Sequence, residues 1–142
     1  IIRGLRTLDV RLEKHQESTK KVINFLKTKK KIYKILYPYK TSSREFKLLK
    51  KYYSGSSGLL SVIIKSKSKN SVYKFVNSLE LFGIGYSWGG FESLAVYTDP
   101  VELGTRRYFN LKKNEHLVRL HIGLEDPKDI INDLKNSLKF VK

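Results

Sequence analysis

Apolar residues recur at steps of three and four from the start of the chain: Leu5, Leu8, Leu12, Val22, Ile23 and Leu26, with His15 and Thr19 filling the same stripe. That period predicts one long amphipathic helix over residues 1–30. At about 1.5 Å per residue it reaches roughly 35 Å, more than a small domain needs for itself, so a connecting helix is expected, followed by a domain over 31–142. Lys27, Lys29, Lys30 and Lys31 fall in its last turn and beyond, where cations suit the negative end of a helix dipole.

Further along, Ile32 to Tyr37 reads as a strand stopped by Pro38, and Thr41-Ser42-Ser43 offers caps for a short helix from Arg44 to Tyr53. Phe46, Leu49 and Tyr53 are its expected buried side. The small residues Ser54-Gly55-Ser56-Ser57-Gly58 end it, and Leu59 to Lys65 is a nearly continuous apolar run that suits an interior strand. A polar loop leads to a helix with Val72, Phe75, Val76 and Leu79 on one face, and Leu81 to Tyr86 approaches the next strand. Thr98 to Glu115 is a long polar connection, expected as a surface excursion. Leu117 to Ile122 is a strand, and Asp126-Pro127 opens a last helix with an N-cap and a proline in its first turn. Ile130, Ile131, Leu134, Leu138 and Val141 form its buried stripe. This order predicts an α+β fold: a mixed or antiparallel sheet of about four strands, helices over one face, and a long helix in front.

Composition narrows the classes open to such a fold. A chain of 142 residues with 40% hydrophobic content suits one domain with a real core. No run of about 18 apolar residues is present and the N-terminal segment lacks a signal-peptide apolar region, so no membrane partner and a cytoplasmic address are expected. The chain has no cysteine, which removes disulfides and thiolate metal sites. It has no methionine either and begins Ile1-Ile2, so an upstream segment is expected.

The formal charge of +16 opens a second reading, a basic nucleic-acid-binding module. The Lys27 to Lys34 and Lys47 to Lys51 regions would supply the cations, and Tyr33, Tyr37, Tyr52 and Tyr53 the stacking surfaces. Against it, arginine, the better reader of phosphates and bases, is confined to Arg3, Arg6, Arg11, Arg44, Arg106, Arg107 and Arg119. Abundant lysine, isoleucine, asparagine and tyrosine with almost no alanine also match the codon bias of an AT-rich genome. Nucleic acid is therefore the less favoured partner.

Candidate chemistry concentrates in two stretches. In Leu117 to Ile122, period-two alternation sends Val118, Leu120 and Ile122 to one face and Leu117, Arg119 and His121 to the other, away from the helices. An arginine in such a strand needs a partner, and its fork matches a carboxylate, whether of a protein side chain or of a ligand. Ser87-Trp88-Gly89-Gly90 is a turn whose paired glycines permit unusual backbone angles and close approach to a ligand. It could equally be a tight turn with its tryptophan tucked into the core. His116 and His121 point to opposite strand faces, His15 belongs to a helix-packing face, and no carboxylate stands at metal-ligand spacing.

Tyr86-Ser87-Trp88-Gly89-Gly90-Phe91-Glu92-Ser93-Leu94 and Leu117-Val118-Arg119-Leu120-His121-Ile122-Gly123-Leu124-Glu125-Asp126 closely resemble the C-terminal domain of cystathionine beta-lyases, within the pyridoxal-phosphate enzymes of cysteine and methionine metabolism. Arg3-Gly4-Leu5-Arg6-Thr7-Leu8 and Gly55-Ser56-Ser57-Gly58-Leu59 extend the likeness, which covers the whole chain but only the last third or so of the family's length. The resemblance implies the small domain of fold-type I pyridoxal-phosphate enzymes, with the N-terminal cofactor-binding domain absent from this chain. It also implies homo-oligomers in the complete family. It assigns Arg119 to the substrate's α-carboxylate, with Ser87 and Trp88 lining the same pocket. Trp88 is similar to the beta-lyase pattern, whereas gamma-synthases and gamma-lyases more often carry leucine there. The implied reaction is beta-elimination of cystathionine, an amino-acid thioether, to homocysteine, pyruvate and ammonia. The Schiff-base lysine lies upstream in the family. Ser18-Thr19-Lys20-Lys21 resembles that lysine's stretch only superficially, lacking a spacer residue and the following Gly-His. The fragment alone is thus expected to bind no pyridoxal phosphate and to be inactive, whether as half of a split enzyme, as a remnant or as a non-catalytic oligomerisation partner.

Overall fold

The N-terminal apolar stripe folds as two helices, α1 (Ile2–Arg6) and α2 (Leu8–Lys27), instead of one. The break falls at Thr7, whose hydroxyl donates to Gly4 O at 3.4 Å. A threonine that bonds its own preceding turn competes with the helix ladder, and Gly4 weakens that turn further. Burial grows from α1 along α2: Leu5 on α1 and Val10 early in α2 are exposed, whereas His15, Ser18, Thr19, Val22, Ile23 and Leu26 are buried. The structure, a computed structural model, describes residues 2–39, 44–98 and 110–142.

Strands β1 (Ile32–Leu36), β2 (Leu59–Lys65), β3 (Gly83–Ile84), β4 (Leu94–Thr98) and β5 (Glu115–His121) form one sheet in the order β1-β2-β5-β4-β3. All neighbours run antiparallel except β3 and β4. The count is five where about four were expected. The strand that Leu81 to Tyr86 is expected to approach is β4, and the additional one is the two-residue β3 inside that approach, too short to leave a periodic signal. As its apolar run predicts, β2 is interior, between β1 and β5.

Registers Leu60↔Leu120↔Ala95 and Val62↔Val118↔Tyr97 define one sheet face. Helices α4 (Lys69–Asn77) and α5 (Pro127–Ser137) and the C-terminal half of α2 cover it. Phe75, Ile130, Leu134, Val22 and Leu26 there meet Leu60, Val62, Ile64, Val118, Leu120 and Ile122, all essentially excluded from solvent. Each such side chain contributes about 1.5–3 kcal/mol of transfer free energy, so this layer carries most of the fold's stability. The chain's own capping chemistry fixes where the helices start. Ser68 accepts from Ser71 N at the head of α4, and Asp126 accepts from Lys128 N at 2.7 Å ahead of Pro127. Asp133 on α5 accepts the N–H groups of Glu80 and Leu81 and so turns the chain from α4 into β3.

Helix α3 (Arg44–Tyr52) stays outside that layer. Tyr53, expected on its buried side, is 65% exposed, and Phe46 and Leu49 are only half-buried. The reason is placement: Leu49 and Tyr53 line an open cleft of about 1190 Å³ with Asp9, Glu13, Leu59 and Ser61, on the sheet face opposite the core. The expected caps Thr41-Ser42-Ser43, and residues 99–109 of the long polar connection, lie outside the described residues. No described helix is long and apolar enough to cross a membrane.

Candidate functional site

Arg119 sits on the open face of β5, between Ser61 of β2 and Val96 of β4. Its neighbours Val118 and Leu120 are fully buried on the other face, as alternation requires. The guanidinium carbon lies 4.9 Å from the ring centre of Tyr86 and 5.5 Å from that of Trp88. Nη2 donates to Ser87 O at 3.1 Å. Both rings attract the guanidinium by cation–π interaction. Among the described residues no carboxylate lies within salt-bridge distance of it. The ion pairs found there join Glu17 to Lys14 and Lys21. A half-buried guanidinium with donors to spare can accept an anion, and its planar fork matches a carboxylate.

The loop between β3 and β4 carries Tyr86, Ser87 and Trp88 and is tied down at several points. Gly89 adopts φ +113°, the left-handed region where only glycine is unstrained. The Ser87 hydroxyl accepts from Gly90 N at 3.0 Å and closes the turn. From α2, Arg11 donates through Nε to Gly89 O at 3.2 Å, and also to Gly4 O and the Thr7 hydroxyl. From β5, His121 Nε2 accepts the Gly89 N–H at 3.1 Å while Nδ1 donates to Glu92 O at 3.0 Å. Beyond it, Leu124 N donates to Phe91 O at 2.8 Å, and both Glu125 oxygens accept from Ser93, from its N–H and its hydroxyl, each at 2.8 Å. Ser93 in turn accepts from Gly123 N at 2.9 Å. A Cβ on Gly123 would stand 2.4 Å from Phe91 O and 2.5 Å from Ser93 N, so glycine is what lets loop and strand end approach this closely.

Burial depresses the pKa of the His121 imidazole below its ordinary value, although its bond to Glu92 O opposes this. The neighbouring His15 and Arg119 push it further down, and Glu125 pulls it up. His15, fully buried on α2, bonds Ile122 O through Nδ1 at 2.7 Å and meets the His121 ring edge-on at 5.1 Å.

The structure brings the three expected residues together. Trp88, however, is not tucked into the core: it is 80% exposed and flanks the guanidinium. Ser87 reaches Arg119 through its carbonyl, since its hydroxyl is committed to the turn. Four further residues shape the site and were not singled out from sequence: Tyr86, Arg11, His121 and Glu125. Tyr86, His121 and Glu125 carried a signal, as members of the two motif stretches, and Arg11 carried none. The surface suggested for nucleic acid finds no support. Tyr37 is buried and bonded to Ser56 and Ser57, Lys65 covers Tyr33 at 3.6 Å, and Lys51 lies over Tyr52.

The architecture is an α+β domain with an open arginine-bearing sheet face and a loop that meets the guanidinium. The family model for Cys/Met metabolism PLP-dependent enzymes matches residues 1–139, and the chain belongs to that family. It is 40% identical over 137 residues to a cystathionine beta-lyase of Bordetella avium, covering 96% of this chain and 34% of that protein. It is 39% identical over 134 residues to that of Escherichia coli K12, covering 93% and 34%. An O-acetylhomoserine (thiol)-lyase structure from Campylobacter jejuni superposes with a TM-score of 0.78 at 33% identity, over 96% of this chain and 30% of that one. That structure carries an N'-pyridoxyl-lysine-5'-monophosphate. The chain thus spans about a third of the length of the relatives it matches, and it is homologous to that part of the beta-lyases and related enzymes.

Among the described residues of the site no lysine stands ready to form a Schiff base with pyridoxal phosphate. Lys20 stands on the exposed side of α2 while Ser18 and Thr19 beside it are buried, and none of the hydrogen bonds around Arg119, Ser87 and Trp88 involves a lysine.

Proposed function

We propose that this chain is the part of a carbon–sulfur lyase that receives the α-carboxylate of a cystathionine-like amino acid. Arg119 is its anchor, and Ser87 and Trp88, with Tyr86, form the walls. The observation that carries this reading is the Arg119 guanidinium, half-buried between two aromatic rings with no carboxylate partner among the described residues. Beta-elimination to homocysteine, pyruvate and ammonia is the favoured outcome, on the similarity to beta-lyases and on tryptophan at position 88. In the complete enzyme pyridoxal phosphate supplies the electron sink, held by residues other than those described here. This chain's contribution is orientation: a carboxylate fixed at Arg119 leaves only a narrow range of directions for the adjoining Cα–H bond. The same reading makes residues 1–30 the connecting segment to the cofactor-binding part, residues 31–142 the small domain, a homo-oligomer the working form and the cytoplasm its compartment. By itself the chain neither binds the cofactor nor turns over substrate.

Grafting the chain in place of the matching third of the Bordetella avium beta-lyase tests the proposal. The graft should form pyruvate from cystathionine. A folded, cofactor-loaded graft that forms none would overturn it.

A further inference from the structure

His121 has no hydrogen-bonding capacity left over. Its Nε2 accepts the Gly89 N–H and its Nδ1 donates to Glu92 O, so one neutral imidazole closes the loop on both sides of Phe91. That assignment admits a single tautomer, with the proton on Nδ1. We propose that neutral His121 is the positioning residue that holds Trp88 and the Ser87 carbonyl against Arg119, and that its protonation releases them.

The step is a proton added at Nε2. Nε2 then becomes a donor facing the Gly89 N–H, two donors meet with no acceptor between them, and a partly buried amide loses its partner. The surroundings offer the new cation little compensation. From β5, Arg119 lies two residues along on the same face, roughly 7 Å away by strand rise. From α2, Arg11 reaches the same turn at Gly89 O, and the His15 ring stands edge-on to His121 with its own Nε2 unpartnered. The loop itself presents the Glu92 carbonyl, already used, and an exposed Glu92 side chain. Glu125 is the one carboxylate in the cluster that favours the cation, and both its oxygens are occupied by Ser93. With the Gly89 N–H bond gone, the loop keeps its tethers at Ser93, at Glu92 O and, through Arg11, at Gly89 O, but loses the strand's hold on the residue next to Trp88.

What such release does to a substrate rests on the reading of Arg119 given above. The clamp itself does not, and its test involves no substrate. Trp88 is the only tryptophan in the chain, so its emission reports the loop without labelling. Between pH 7.5 and 5, Trp88 emission and the protection of the Gly89 amide should change in a single transition, protection falling at least about tenfold, with far-ultraviolet circular dichroism unchanged. His121→Gln retains an acceptor near the Nε2 position and does not titrate, so its emission should match the parent at pH 7.5 and stay flat to pH 5. His15→Gln should keep the transition. A flat parent, a His121→Gln variant that titrates like the parent, or a transition abolished only by His15→Gln overturns the proposal. Should His121→Gln fail to fold, the parent still decides: by NMR, the His121 ring proton and the Trp88 indole must share one midpoint, and separate midpoints refute the clamp. Failure of the Arg119 reading would instead appear as a graft without activity, whatever Trp88 does with pH.

Discussion

Glu125→Ala removes the outer tether of the Trp88 loop, and its cost can be worked from two bonds. Ser93 is fully buried, and its N–H and hydroxyl each meet a Glu125 oxygen at 2.8 Å, while the hydroxyl also accepts from Gly123 N. Bonds to a charged group contribute about 1.5–3 kcal/mol each, and Glu125 is itself half-exposed, so water replaces part of what is lost. The lower end applies to both bonds, giving a destabilisation of about 3 kcal/mol. For a domain of this size, with a urea slope of about 2 kcal/mol per molar, the midpoint should fall by about 1.5 M. Glu125→Gln offers one acceptor where two are needed and should lose about half as much. The assay is urea unfolding followed in parallel by Trp88 emission and far-ultraviolet circular dichroism. A Glu125→Ala midpoint within about 0.2 M of the parent would show that these bonds do not hold the loop, and the reasoning would fail.

The remaining predictions concern the scaffold, the charge and the pH response. Asp133→Ala strips the acceptor from the Glu80 and Leu81 N–H groups and should cost about 2–3 kcal/mol in urea unfolding. Fluorescence anisotropy with a labelled oligonucleotide should show weak binding that disappears near 0.15 M salt, as dispersed solvated lysines require; affinity that persists there would revive the basic-module reading. Because the folded-state pKa of His121 lies below its unfolded value of about 6.5, the unfolded chain takes up the proton first. Its contribution to stability is therefore complete above about pH 6.5 and is lost as pH falls through the lower folded value. His121→Gln should flatten that part of a urea-midpoint profile.

How much of this was legible beforehand follows from which signals are local. β2, β5, α4 and α5 were readable because an apolar stripe of the right period coincides with a cap or a turn residue at each end. The alternation in β5 placed Arg119 on the uncovered face correctly. α1 and α2 were joined in the reading because a stripe continues through Thr7, and a stripe does not register a side chain that bonds back to the preceding turn. α3 was given a buried side because its own pattern is amphipathic, yet that side faces a cleft and not the core. At the site, the motifs pointed to Arg119, Ser87 and Trp88, but the pins that set their geometry come from far away in sequence. Arg11 meets Gly89 across 78 residues and His121 meets it across 32, and no local pattern announces such pairs. His121 was set aside as half of a failed metal pair, since alternation yields a side chain's face but not its partners.

The central claim is that Arg119 recognises an α-carboxylate, and a double-mutant cycle tests it most directly. In the active graft, kcat/KM would be measured for parent and Arg119→Ala, each with cystathionine and with its analogue lacking the α-carboxylate. If the guanidinium and the carboxylate are partners, Arg119→Ala should cost cystathionine about 2–5 kcal/mol and cost the analogue almost nothing. Equal losses with the two substrates would mean that Arg119 serves the fold of the site and does not grip the substrate.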